Sequence, residues 1–156
     1  MSPPPMPPVI PYLCVGDAKA AIAFYTKAFG AEQMHVLSAP TGQVMHAALM
    51  LNGAMIMLAD DFPEMCGGIP GTPDPARRPP VSIHLQAADC DALYARATAA
   101  GATSLMAPAD MFWGDRFAKV ADPFGHHWSF STPQRQVSPE EMQAAVDQMF
   151  RAKAPA

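Results

Sequence analysis

Apolar positions in this 156-residue chain recur with the two-residue period of strands, then with the period of a helix, then as strands again. The whole succession occurs twice. Val9 to Val15 reads as a strand ending at Gly16-Asp17. Asp17 suits an N-cap, and Ala21, Ile22, Phe24, Tyr25, Ala28 and Phe29 make a helical stripe over Ala18 to Phe29, stopped by Gly30. Glu32 to Ala39 is a second strand, turned by Pro40-Thr41-Gly42. Gln43 to Leu51 and Ala54 to Ala59 form a hairpin about Asn52-Gly53. From Asp60 to Pro80 every periodicity breaks, with Gly and Pro clustered after Gly67. The first pattern then returns: strand Val81 to Ala87, N-cap Asp89, helix Cys90 to Ala100, stop Gly101, and a strand at about Thr103 to Met106 before a closing hairpin. Both halves read β-α-β-β-β, an internal duplication in which Asp17 matches Asp89 and Gly30 matches Gly101.

The closing hairpin runs from Trp113 to Ser131 about Asp122-Pro123-Phe124-Gly125. Pro fixes φ early in the turn, and Gly accepts the left-handed conformation that completes a three-residue loop. That loop pairs Asp122 with His126, Ala121 with His127 and Lys119 with Ser129. Alternation then puts Phe117, Lys119, His127 and Ser129 on one face. Ala118, Val120, Trp128 and Phe130 share the other, which is uniformly apolar and should carry a helix. The same count about Asn52-Gly53 pairs Met50 with Met55, Ala48 with Met57 and His46 with Ala59.

These breaks divide the chain into a Pro-rich tail (1–8), a first module (9–62), a linker (63–80), a second module (81–132) and a C-terminal extension (133–156). In the extension, Ser138-Pro139-Glu140-Glu141 has the form of a capping box with Pro at N1. Met142, Val146, Met149 and Phe150 follow as an apolar stripe, which needs either the domain's own surface or a second subunit to pack on.

Composition narrows the classes. No apolar run approaches membrane-spanning length, and no basic-then-apolar signal segment opens the chain, so a soluble, cytoplasmic protein is expected. A net charge of −4 argues against nucleic acid. Cys14, Cys66 and Cys90 have neither CxxC spacing nor an even count, which indicates no disulfide framework and no structural zinc.

Several segments together resemble the vicinal-oxygen-chelate superfamily of glyoxalase I, extradiol dioxygenases and bleomycin- and fosfomycin-resistance proteins, and most closely its PhnB-like branch. They are PYLCVGDAKAAIAFYTKAFGAE (Pro11 to Glu32), Met45-His46-Ala47, MLADDFPEM (Met57 to Met65), MFWGDRF and DPFGHHWS, in that order from about Val9 to Thr132. The resemblance implies an α+β fold of two βαβββ modules, with curled mixed sheets around a cavity and helices outside. It also implies that a metal, where one is used, is held by His or Glu on the first and last strands of each module. Those positions here are Ile10, Ser82, Met57 and Ser129, with Tyr12 and His84 one step along on the same face. Ile, Met and Ser are not ligands for Zn²⁺, Ni²⁺, Fe²⁺ or Mn²⁺ in such sites, so no metal and no other cofactor is expected.

A polar set remains: Tyr12, His46, His84, Lys119, His127 and Ser129. Together these would give a pocket proton-transfer groups and one cation; singly, each strand His is more often a hydrogen-bonding partner than a base. Trp113, Asp115, Arg116 and Phe117 stand at the hairpin entrance, where Trp can stack on a ligand and Arg can clamp a phosphate or carboxylate. The opposing reading is a Trp capping the mouth beside an Asp–Arg surface pair. Asp60, Asp61 and Glu64 read as solvated loop charge, and Arg77-Arg78 as too short a basic run to signify. The expectation is a homodimeric, PhnB-like protein that binds a small molecule, with anions among the candidates, in a metal-free cavity. The alternatives are a metal-dependent lyase or dioxygenase using His46 and His84, and a non-catalytic sequestering protein.

Overall fold

The computed structural model describes residues 6–153, so the first part of the expected Pro-rich tail lies outside the described residues. Strand β1 (Tyr12–Val15) leads into helix α1 (Ala18–Phe29), and strands β2 (Glu32–Ser38), β3 (Val44–Leu51) and β4 (Ala54–Asp60) complete the first sheet, in the order β1-β4-β3-β2. The second half repeats this. Strand β5 (Ser82–Gln86), helix α2 (Cys90–Ala100) and strands β6 (Thr103–Asp110), β7 (Asp115–Ala121) and β8 (His127–Pro133) give the order β5-β8-β7-β6. In each sheet the first strand runs parallel to the last, and the remaining pairs are antiparallel. This is the expected α+β duplication. The sheets do not close, however, and each keeps one face with no helix packed on it.

Local chemistry sets these elements. Asp17 and Asp89 accept hydrogen bonds from Ala20 N and Ala92 N, each at 2.9 Å, so each helix starts on a carboxylate cap. At the C-terminus of α1, Gly30 takes φ 72° and Ala31 N returns to Tyr25 O. Asn52 and Gly53, at φ 50° and 78°, form the tight turn that fixes Met50 opposite Met55 and Ala48 opposite Met57. The second hairpin keeps the expected register of Lys119 with Ser129 and Ala121 with His127. Strand β1 is shorter than its hydrophobic run because Pro11 has no N–H to donate, although its carbonyl still accepts from Met57 N. Strand β6 runs past the expected Met106 to Asp110 despite Pro108. It is an edge strand, and the register shifts between Met106 and Ala109, which together accommodate a proline.

Both helices lie on the apolar faces, and one core joins the modules. Leu13, Val15, Leu49, Leu51, Ile56 and Leu58 face α1; Ala118, Val120, Trp128 and Phe130 form the helix side of the second sheet. Phe29 packs on Trp128 and Phe130, and Tyr25 on Trp128, so α1 also covers part of the second sheet. Full burial of such side chains contributes roughly 1.5–3 kcal/mol each. Polar links cross the same boundary. His126 Nε2 lies 2.9 Å from Cys14 O, Asn52 donates to Gln86 O, and Arg96 of α2 donates to Lys27 O at 2.6 Å.

The linker is folded rather than loose. It opens with a 3-10 turn at Pro63–Met65, and Gly71 N donates to the Asp61 carboxylate. Pro73 then sits so close to Gly125 that a Cβ there would meet it at 2.9 Å. Helix α3 (Pro139–Lys153) is capped by Ser138, whose Oγ accepts from Glu141 N. The expected reciprocal bond is replaced by Arg135, which donates to the Glu141 carboxylate. Among the described residues no helix is long and apolar enough to cross a membrane.

Candidate functional site

The helix-free face of the second sheet carries most of the expected polar set. Parallel pairing places Ser82 beside His127, His84 beside Ser129 and Gln86 beside Ser131. His84 Nδ1 lies 2.8 Å from Ser129 Oγ, and Nε2 lies 3.1 Å from Ser131 Oγ and 3.2 Å from Gln86 Nε2. Both serines are buried, so the imidazole is held across two strands. Its ring lies nearly parallel to Phe117 at 6.2 Å, and Trp113 meets Phe117 edge-on at 5.4 Å. Strand β7 thus presents an aromatic wall, with Lys119 two residues beyond Phe117 on the same face. Lys119 makes no ion pair among the described residues. Beyond it, burial first and the charges of Lys119 and Arg78 next hold the His127 imidazole below its ordinary value.

The first sheet supplies a second, smaller group. Tyr12 Oη lies 2.8 Å from His46 Nδ1, and the His46 ring lies 5.0 Å from that of His35. His35 escaped the sequence reading; the pairing of Leu37 with His46 and His35 with Ala48 brings it onto this face. Burial, with Cys14 adding to it, raises the Tyr12 hydroxyl above its ordinary value, so it stays a hydrogen-bond donor. Tyr12 is 54% exposed and Leu37 59%, which leaves this face open. No hydrogen bond or ring contact among the described residues joins the Tyr12 group to the His84 group.

Other expectations are corrected. Arg116, expected at the hairpin entrance, has the parity of Ala118 and Val120 and turns toward α2. There it donates twice to Asp91, at 2.8 and 2.9 Å, and once to Asp110 at 3.2 Å. Its guanidinium is therefore engaged, and these bonds draw the Asp91 carboxyl below the usual range. The Asp–Arg surface pair of the opposing reading exists, but its acids are Asp91 and Asp110. Asp115 shares the parity of Phe117, and its backbone carbonyl closes a turn by accepting from Met111 N. Asp60 is structural rather than solvated, since its two oxygens accept from Ala18 N at 2.7 Å and Val44 N at 2.6 Å. Burial, followed by Asp61, pushes the Cys14 thiol up to about 11, so it is no nucleophile at neutral pH.

The residues abreast of Met57 and Ser129 on the first strands are Tyr12 and His84; Ile10 precedes β1. A zinc-type site wants three His, Cys or carboxylate ligands. This set offers one imidazole, with both ring nitrogens already in hydrogen bonds, beside a thioether, a protonated phenol and a serine. Among the described residues no three His, Cys, Asp or Glu side chains converge to hold a metal ion. The donor set does not fit a metal of the superfamily type.

Known proteins share this framework. An uncharacterized protein of Mycobacterium bovis is 50% identical over 140 residues, covering 90% of this chain and 92% of the relative. The structure of TioX from Micromonospora sp. ML1 aligns with a TM-score of 0.60 at 27% identity, over 80% of this chain and 96% of TioX. A Bacillus cereus structure described as a putative 3-demethylubiquinone-9 3-methyltransferase, PhnB protein, shares the fold with a TM-score of 0.62 at 19% identity, over 81% of this chain and 99% of that one. A family model spans residues 8–130, the two βαβββ modules and the linker between them. On that match, this chain belongs to the Glyoxalase/Bleomycin resistance protein/Dioxygenase superfamily.

Proposed function

We propose that this protein is a PhnB-like, cytoplasmic homodimer that binds a small anionic organic molecule on its helix-free sheet faces without a metal ion. The observation that carries this reading is the shared face of His84, Phe117, Lys119 and His127: an aromatic wall next to an unpaired cation. Trp113 extends the wall, and Ser129 and Ser131 fix the His84 ring. Tyr12 and His46 add a donor and an imidazole on the first sheet. Asp115 lies on the Phe117 side and contributes at the rim, whereas Arg116 serves the fold. Three free cysteines suit a reducing compartment.

The test is a calorimetric titration with aromatic carboxylates and phosphonates, repeated with Phe117→Ala, Lys119→Ala and Arg116→Ala. Binding that weakens in the first two variants and survives in the third supports the reading. Binding lost only in Arg116→Ala would move the site to the α2 side. Following the bound compound for turnover separates a sequestering protein from an enzyme.

A further inference from the structure

The linker builds a cavity of its own, away from the helix-free sheet faces. Pro73 seats on Gly125 of the β7–β8 turn, and Gly71 lies against Cys14 of β1, so the linker touches both modules. With Pro79, Pro80 and Val81 at the entry to β5, these segments line a cavity of about 580 Å³, within the range of small-molecule sites. Three proline rings and Val81 make its walls largely apolar.

The second module contributes His126 to this cavity. Its backbone is fixed by Asp122, whose Oδ1 accepts from the N–H groups of Phe124 and His126. Its ring is fixed by the first module. Nε2 lies 2.9 Å from Cys14 O, and a carbonyl only accepts, so Nε2 carries the proton. In the neutral ring Nδ1 then keeps the lone pair, and it has no partner among the described residues. No buried polar side-chain atom among them goes without a partner, so Nδ1 of this half-buried residue is open to solvent. His126 lines this cavity and not its neighbour of about 590 Å³, which holds His127, Asp17 and Asp122 instead.

One cation on the same wall is free. Asp74 is the cavity's one acid among the described residues, and it is engaged: Oδ1 accepts from Ala76 N at 2.8 Å, and Oδ2 lies 3.6 Å from Arg77 Nε. Arg78 has no ion pair among the described residues. The cavity thus offers apolar walls, an unpaired guanidinium and an imidazole lone pair of fixed tautomer.

We propose that this linker cavity is a second ligand site, for a small hydroxy acid with a flat apolar body, such as an aromatic hydroxycarboxylate. The proposal goes beyond the sheet-face reading and stands without it. Each part of such a ligand answers to a group on the wall. The planar guanidinium of Arg78 donates two parallel N–H bonds to the carboxylate, and Nδ1 of His126 accepts from the hydroxyl. The proline rings and Val81 cover the apolar body. A ligand with an ether in place of the hydroxyl leaves Nδ1 without a donor and binds less well.

The probes are meta- and para-hydroxybenzoate. The matching methoxybenzoates keep the ring and the carboxylate but donate nothing. Binding is read by calorimetry and by the imidazole nitrogen resonances of His126 in protein carrying isotope-labelled histidine. Expected are a free protein with the proton on Nε2 and an Nδ1 resonance that moves with at least one hydroxybenzoate. The matching methoxybenzoate should bind about two- to tenfold more weakly, and Arg78→Ala should lose about tenfold. Val81→Trp, a substitution at an exposed position of the wall, should fill the cavity and block binding. An Nδ1 resonance unmoved at saturating hydroxybenzoate overturns the site, as does equal affinity for the methoxy compounds or full affinity in Val81→Trp. If His126 stays still while Trp113 fluorescence responds, the compound sits on the sheet face: the linker site fails and the earlier reading stands. Binding of neither hydroxybenzoate also overturns the linker site, and leaves the sheet-face reading to its own titration.

Discussion

Tyr25 of α1 donates a 2.7 Å hydrogen bond to Oδ2 of Asp122, so a helix of the first module is tied to the closing turn of the second. Trp128 Nε1 donates to the same oxygen at 2.9 Å, and all three residues are buried. Tyr25→Phe leaves the ring packing intact and removes one charged hydrogen bond, which should cost about 1.5–3 kcal/mol in urea unfolding. Asp122→Ala should cost more, since it orphans buried donors from both modules. An unchanged midpoint in Tyr25→Phe would show that the tie is not energetically coupled to folding.

The cysteines should react in a fixed order. Cys66 is exposed, Cys14 is held at about 11 chiefly by burial, and burial also raises Cys90 above its ordinary value. With iodoacetamide at neutral pH, mass spectrometry of the folded protein should find label on Cys66 first. Cys14 and Cys90 should follow only on unfolding or at high pH. Early modification of Cys14 would contradict its closed setting beside Gly71.

Stability should depend on His127 in acid. Its folded value lies below the ordinary imidazole value, so the unfolded chain binds the proton first as pH falls. Stability is therefore lost on descending through the unfolded value of about 6.5, and the loss levels off below the folded one. His127→Gln should flatten this segment of the profile in low-salt unfolding measurements at stepped pH. If the variant and the parent lose stability in parallel, the proton goes elsewhere.

The protein should sediment as a dimer. No strand or other helix packs closely on α3 among the described residues, yet Met142, Val146, Met149 and Phe150 lie along it, and Phe150 is 71% exposed. A second copy would cover that stripe and the open sheet faces with one symmetric contact. Met149→Glu with Phe150→Glu should shift the sedimentation profile toward monomer at micromolar concentration. A monomeric parent protein would dispose of the idea.

Elemental analysis of the purified, untagged protein should find no stoichiometric transition metal. Melting temperature should be unmoved by Zn²⁺, Ni²⁺, Mn²⁺ or Fe²⁺ followed by dialysis. One ion per chain that survives dialysis and disappears in His84→Ala would restore the metal-dependent alternative.

Most of the fold was legible because capping and turn chemistry are local. Asp17, Asp89, Gly30, Gly101 and the two hairpin turns each act within a few residues, and hairpin register follows from loop length. The shared face of Phe117, Lys119, His127 and Ser129 came from the same arithmetic. Arg116 is legible too, by parity, because alternation along β7 sets it with Ala118 and Val120 whatever its nearness to Trp113 in the chain. Other features depend on distant partners. Asp60 turns inward because Ala18 and Val44 offer it backbone N–H groups, and no spacing encodes that meeting. His35 reaches the site through irregular pairing in β2, which shifts the period that would have placed it. Pro73 docks on Gly125, a contact spanning fifty-two residues of chain that no local pattern announces.

The parallel closure of each sheet constrains how the chain can assemble. Strands β3 and β4 meet through a two-residue turn, whereas β1 must wait for β4, and Tyr12 finds Met57 only across forty-five residues. Loop closure of that length is costly until the hairpin exists to receive the incoming strand. Each half should therefore nucleate at its hairpin and recruit its first strand late. For an emerging chain this means that the N-terminal half can finish before Trp128 is made, leaving Tyr25 and Phe29 exposed until the last hairpin arrives. Translation order thus makes the second half the template-dependent one: it folds onto an aromatic surface already in place.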